Sequence, residues 1–192
     1  MRLSRQQLTL IGIFALFLGP LLLVMLMRSS WWQYQPSGMK NQGYLVQPPQ
    51  PLSLNYTDSL DGKWLILYVL ESPCDQSCID NVTELRQIHR ASGRHGEHLR
   101  IALLSDMPND PDLRSRLEAI YPEFNFLVDS EQQALGTLEN INANLEMNSA
   151  DARTYILDPM FNVILAYRSN ANPTDIHKDL KRLLKWADQE TK

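Results

Sequence analysis

Between Leu8 and Met27 the chain runs for twenty residues without a charge, LTLIGIFALFLGPLLLVMLM. A helix rises about 1.5 Å per residue, so such a run reaches across a hydrocarbon core of roughly 30 Å. Pro20 interrupts it, yet a membrane helix tolerates proline where the freed backbone groups find local partners. A cleaved leader is the competing reading, because Arg2 and Arg5 precede the apolar stretch in either case. Leader cores are shorter, ~7–15 residues, and end in a small-x-small site, which this sequence lacks. Arg28 follows instead, and then Trp31, Trp32 and Tyr34, aromatic residues suited to a membrane–water interface. The sequence therefore predicts an uncleaved anchor over 8–27. The basic residues around it favour residues 1–7 in the cytoplasm and the remainder beyond the inner (plasma) membrane, on the periplasmic side.

Outside the first 28 residues the chain carries fifteen Lys and Arg against 22 Asp and Glu, a net charge of −7. No basic stripe is present, which argues against nucleic acid as a partner. Residues 28–59, with Pro36, Gly38, Gly43, Pro48, Pro49 and Pro51, read as an interfacial segment and tether leading to a domain over 60–192. In that domain Trp64–Leu70 is a continuous apolar run of strand length, suited to a strand buried on both faces, and Leu99–Leu104 reads as the next strand. Between them Ile79, Val82, Leu85 and His89 recur at helical spacing. Asp110-Pro111 reads as a cap and first helical position. A short strand over 124–128 and a helix capped by Ser130 come next. The segments 154–157 and 163–167 flank an Asp158-Pro159 turn, and an amphipathic helix over 174–187 closes the chain. This is an α/β layout, a mixed sheet flanked by helices.

The chain has two cysteines, Cys74 and Cys78, both directly behind the first apolar strand. On a regular helix, positions i and i+4 lie ~40° apart around the axis and ~6 Å along it, so both sulfurs can project together and can close a disulfide. A helix N-terminus favours thiolate, making Cys74 the nucleophile or first metal donor, while the neighbouring Asp75 opposes part of that effect. Two soft thiolates also suit Cu(I), whereas zinc wants four ligands. Three readings stay open on spacing alone: a structural disulfide, dithiol redox exchange and copper handling.

Taken together, Asp61-Gly62-Lys63-Trp64, the Cys74-x-x-x-Cys78 motif, Ser105-Asp106-Met107-Pro108-Asn109-Asp110-Pro111 and Tyr155-Ile156-Leu157-Asp158-Pro159 resemble the Sco/SenC family. That family comprises membrane-anchored, thioredoxin-like assembly factors for the copper centre of cytochrome c oxidase. The resemblance spans about residues 58 to 186 and implies a thioredoxin-like mixed sheet behind the N-terminal transmembrane helix. It also implies copper bound by the two cysteines and by a histidine eight residues before Asp158. Ala150 occupies that position, and Ala152 stands where thioredoxin-like reductases carry a proline against their dithiol. Met147 is the nearest soft donor to the missing histidine. His89 is expected to pack on its helix, His95 and His98 to lie in a loop far from the cysteines, and His177 to open the last helix.

The resemblance implies a role in oxidase biogenesis, with a cytochrome c oxidase subunit or assembly factor as partner. Cys74 and Cys78 would act there as a redox dithiol or pass Cu(I) transiently, with copper as the possible cofactor. A general periplasmic thiol–disulfide oxidoreductase and a non-catalytic anchored scaffold are the alternatives.

Overall fold

The computed structural model describes residues 5–28, 41–55, 58–70, 73–106, 108, 110–147 and 152–190. The chain divides into two compact units, Met1–Lys40 and Asn41–Lys192. The first contains helix α1, Arg5–Arg28, which keeps its course through Pro20. Phe14, Leu16, Phe17, Leu21 and Met25 are all exposed on it. A helix this apolar, with none of its membrane-length window buried in protein, has a bilayer as its natural solvent.

The second unit is a six-stranded mixed sheet in the order β1-β6-β5-β2-β3-β4. Its strands are β1 (Tyr44–Pro51), β2 (Trp64–Val69), β3 (Leu99–Ser105), β4 (Asn125–Val128), β5 (Ala152–Leu157) and β6 (Asn162–Arg168). Its helices are α2 (Gln76–Ala91), α3 (Pro111–Ile120), α4 (Gln133–Asn144) and α5 (Pro173–Glu190). β2, β3 and β4 run parallel through the α2 and α3 crossovers. β5 returns antiparallel to β2 and forms a hairpin with β6.

Period-two alternation in the central strands splits the core into two layers. Ile66 and Tyr68 of β2, with Leu99, Ile101 and Leu103 of β3, face Cys78, Val82, Leu85 and Ile88 of α2 and Ile176, Leu180 and Leu184 of α5. Leu65 and Leu67, with Ala102 and Leu104, face the other way, onto Ala134, Leu138 and Ile141 of α4. Full burial of each Leu or Ile contributes about 1.5–3 kcal/mol, so both strand faces are held by packing.

The expected tether ends earlier than its composition suggests. Residues 44–51 form edge strand β1, paired antiparallel with β6, and Val46 and Leu52 enter the core. Prolines survive there because an edge strand needs only one row of backbone bonds, and the pairing is irregular between Leu45 and Gln50. The start of this segment is fastened by Asp179, which is 2% exposed. Its Oδ2 accepts the backbone N–H of Gln42 at 2.7 Å and of Gly43 at 2.9 Å, and the Tyr167 hydroxyl at 3.0 Å. Burial, reinforced by Asp179, pushes the Tyr167 phenol far above its ordinary value. Ser130 does not cap α4: Asp129 does that work through its carboxylate, which accepts the N–H groups of Gln133 at 3.2 Å and Leu135 at 2.8 Å. Asp129 is the better anchor because its charge meets the positive end of the helix.

Candidate functional site

β2 ends at Val69, and the chain passes Pro73 and Cys74 before α2 begins at Gln76. Asp75 is the N-cap, extended at φ −82°, and its Oδ1 accepts the Cys78 N–H at 3.0 Å. Cys74 therefore precedes the helix rather than lying on it, which differs from the regular i, i+4 placement expected from spacing. The two cysteines nonetheless meet. Cys74 and Cys78 form a disulfide with their Cα atoms 5.3 Å apart, inside the range a bridge needs. The two sulfurs have unequal surroundings: Cys78 is 1% exposed and packed among core residues, whereas Cys74 is partly exposed at the edge of that cluster.

Beside Pro73 opens a cleft of about 670 Å³, bounded by Val69, Asp106, Glu139, Asn142, Arg153 and Tyr155 among others. It sits past the C-terminal ends of β2 and β3, where α/β sheets place their sites. The Tyr155 hydroxyl accepts from Asn142 Nδ2 at 2.8 Å and reaches the Ala152 carbonyl at 3.2 Å. Burial raises the Tyr155 phenol above its ordinary value, against the opposing effects of Asn142 and Arg153.

The other expected donors lie elsewhere. Met147 is buried in the second core layer with Leu138 and Ile141, whereas Cys78 belongs to the first. Position 150 falls outside the described residues. His95 and His98 sit in a 3-10 segment, Gly93–His98, beyond the far end of α2, about 20 Å of helix from Cys78. His89 is structural: Nε2 meets the Leu99 carbonyl and Nδ1 the Tyr121 hydroxyl, each at 3.1 Å. Tyr121 donates to Glu123, and burial first, then this carboxylate, pushes its phenol up to about 12. His177 is half-buried on α5. Among the described residues, no group of three or more His, Cys, Asp or Glu is placed to hold a metal ion. The cleft residues Arg153, Asn142 and Glu139 escaped sequence reading because only the fold brings α4 and β5 together.

Residues 64–187 match the model of the transmembrane-like, thioredoxin-like, C-terminal domain family. The chain belongs to this family. No curated protein matches it. Among solved structures, yeast Sco1 with copper bound matches at 18% identity and a TM-score of 0.51, over 66% of this chain and 80% of that one. Arabidopsis thaliana ScoI with copper bound matches at 16% identity and a TM-score of 0.51, over 72% and 98%. Apo Sco1 from Thermus thermophilus matches at 15% identity and a TM-score of 0.52, over 76% and 99%. The domain of this family member thus has the thioredoxin-like fold shared by Sco proteins, carried behind a membrane-anchoring helix.

Proposed function

We propose that the chain is a membrane-anchored dithiol–disulfide exchange protein, with Cys74 as the attacking and attacked sulfur and Cys78 as the resolving one. The observation that carries this is the unequal burial of a bonded pair at a strand-to-helix junction. A bridge closing so short a loop contributes little to stability through chain entropy, so a purely structural purpose is the poorer account. Resemblance to the Sco/SenC family suggests the setting: a domain on the periplasmic side of the inner membrane, serving the cysteines of a cytochrome c oxidase subunit or assembly factor. The test is reduction of a general peptide disulfide by the full chain in detergent micelles with a dithiol supplied. Turnover that disappears in Cys74→Ser supports the reading, and equal turnover in that variant contradicts it.

Copper handling is the second reading, favoured by the soft donors and by the copper in the yeast and Arabidopsis structures. The residues present do not fit a stable Cu(II) site. Ala150 offers no donor at the histidine position, and Met147 packs in the other core layer. The reduced pair offers two thiolates, which suits brief two-coordinate carriage of Cu(I) as cargo. Anaerobic Cu(I) titration of the reduced chain checks this, with Cys74→Ser/Cys78→Ser expected to lose binding.

A further inference from the structure

Past the ends of β2 and β3 the fold gathers charges that lie far apart in sequence. Asp106 follows β3 directly, and Glu139 is an exposed residue of α4. Both carboxylates line the cleft of about 670 Å³ that opens beside Pro73, the residue before Cys74. Among the described residues, neither forms a hydrogen bond or an ion pair within the chain. Arg153 of β5 brings a guanidinium to the same lining, so two carboxylates against one cation leave the described lining with one net negative charge. Glu139 and Arg153 both act on the Tyr155 hydroxyl, in opposite senses, which sets their charges around one polar wall. That wall is firm, because Tyr155 and Asn142 are buried and bonded to each other at 2.8 Å. A lysine or arginine side chain combines an apolar stem with a cationic tip. The cleft offers both counterparts: half-buried Val69 and Leu135 for the stem, Asp106 and Glu139 for the tip.

We infer that this cleft is a specificity site for a polypeptide partner, and that it takes a Lys or Arg side chain about two or three residues from the partner cysteine that meets Cys74. The inference rests on the exchange reading above and adds the class of substrate. The spacing follows from size: a cavity of about 670 Å³ is roughly 11 Å across, the span of about three extended residues, and it begins at the neighbour of Cys74. A cleft with one sign of charge in excess attracts the opposite sign and repels its own, which selects among partners more than it tightens binding. In the exchange itself, the Cys74 thiolate bonds to one sulfur of the partner disulfide and expels the other as a thiolate. Cys78 then bonds to Cys74 and releases the second partner thiolate, so two electrons and two protons pass to the partner.

The test uses the full chain in detergent micelles, reduced with dithiothreitol and then freed of it. It is mixed with peptide disulfides that differ only in carrying Lys, Gln or Glu near the cysteine, and the released peptide thiol is counted by mass. The quantity read is the ratio of the Lys-peptide rate to the Glu-peptide rate within one variant, which cancels any change in the reactivity of the sulfur itself. Wild type should favour the Lys peptide about three- to tenfold at low ionic strength and less than about twofold in about 1 M salt. Glu139→Gln and Asp106→Asn should each lower the ratio about two- to threefold, and Glu139→Lys should bring it to about one or invert it. Glu97→Gln removes the same charge at the opposite end of β3 and should leave the ratio within about 1.5-fold of wild type. A wild-type ratio within about twofold of one at low salt, a preference for the Glu peptide, or a ratio unmoved by Glu139→Gln and Asp106→Asn together overturns the inference and leaves the exchange reading standing. Release of no thiol from any peptide overturns both, so the two failures are told apart.

Discussion

Asp179→Ala should be among the most damaging single changes available outside the apolar core. The carboxylate accepts from Gln42 and Gly43 backbone nitrogens, from the Tyr167 hydroxyl, and from Arg182 at 3.3 Å. Arg182 and Gln42 are exposed and can turn to water, so their loss costs little. The Gly43 N–H and Tyr167 O–H are buried, and each is left without its partner. An unsatisfied buried donor costs about 1–3 kcal/mol, and a bond to a charged acceptor lies at the upper end, which together give about 3–5 kcal/mol. For a domain near 150 residues this lowers Tm by roughly 6–20 °C. Asp179→Asn keeps one acceptor oxygen and should lose less. Thermal and urea unfolding of the full chain, followed by circular dichroism, measure the loss. A loss below about 1 kcal/mol for Asp179→Ala would refute the reasoning. It would mean that residues 41–43 are not fastened into the domain and that the tether extends as far as composition alone suggests.

Further outcomes follow from the same geometry. Gly43→Ala should destabilise by about 1–3 kcal/mol in the same unfolding assay, because its Cβ would lie 2.5 Å from the Tyr167 ring. Asp75→Ala, which removes the α2 cap altogether, should cost about 1 kcal/mol. Tyr121, Tyr155 and Tyr167 all have phenols raised in the folded state. Their contribution is complete below the unfolded value of 10.0 and is lost as pH rises toward about 12 for Tyr121, so Tm should fall above pH 10 and fall less in Tyr121→Phe. Ala150→His should tighten copper binding by the reduced chain, measured by anaerobic titration, if the histidine position is the reason this chain departs from a copper site.

The core of the fold is legible where burial is symmetrical. Trp64–Val69 and the stretch from Ile101 to Leu104 are apolar because helices cover both sheet faces, and such runs do not read as exposed strands. β1 is not legible, since its Pro48, Pro49 and Pro51 forbid a central strand and only the edge position beside β6 makes them tolerable. The start of α4 misleads in a smaller way. Ser130 is the expected cap, but the carboxylate of Asp129 beside it spans two N–H groups and takes that place. At the site, adjacency in sequence makes the cysteine pair visible. Its asymmetry is not visible in that way, because it depends on where the N-cap falls: Asp75 places Cys74 outside the helix and turns Cys78 into the core.

Mixed-disulfide trapping in folded full-length chain tests the central claim most directly. Each single-cysteine variant is offered an excess of an activated peptide disulfide, and the adduct is read by mass. Cys78→Ser should hold the peptide on Cys74 as a stable mixed disulfide, while Cys74→Ser, whose remaining sulfur is 1% exposed in the wild-type structure, should react at least about tenfold more slowly. Equal rates at the two positions, or no adduct at Cys74 before unfolding, would contradict the account.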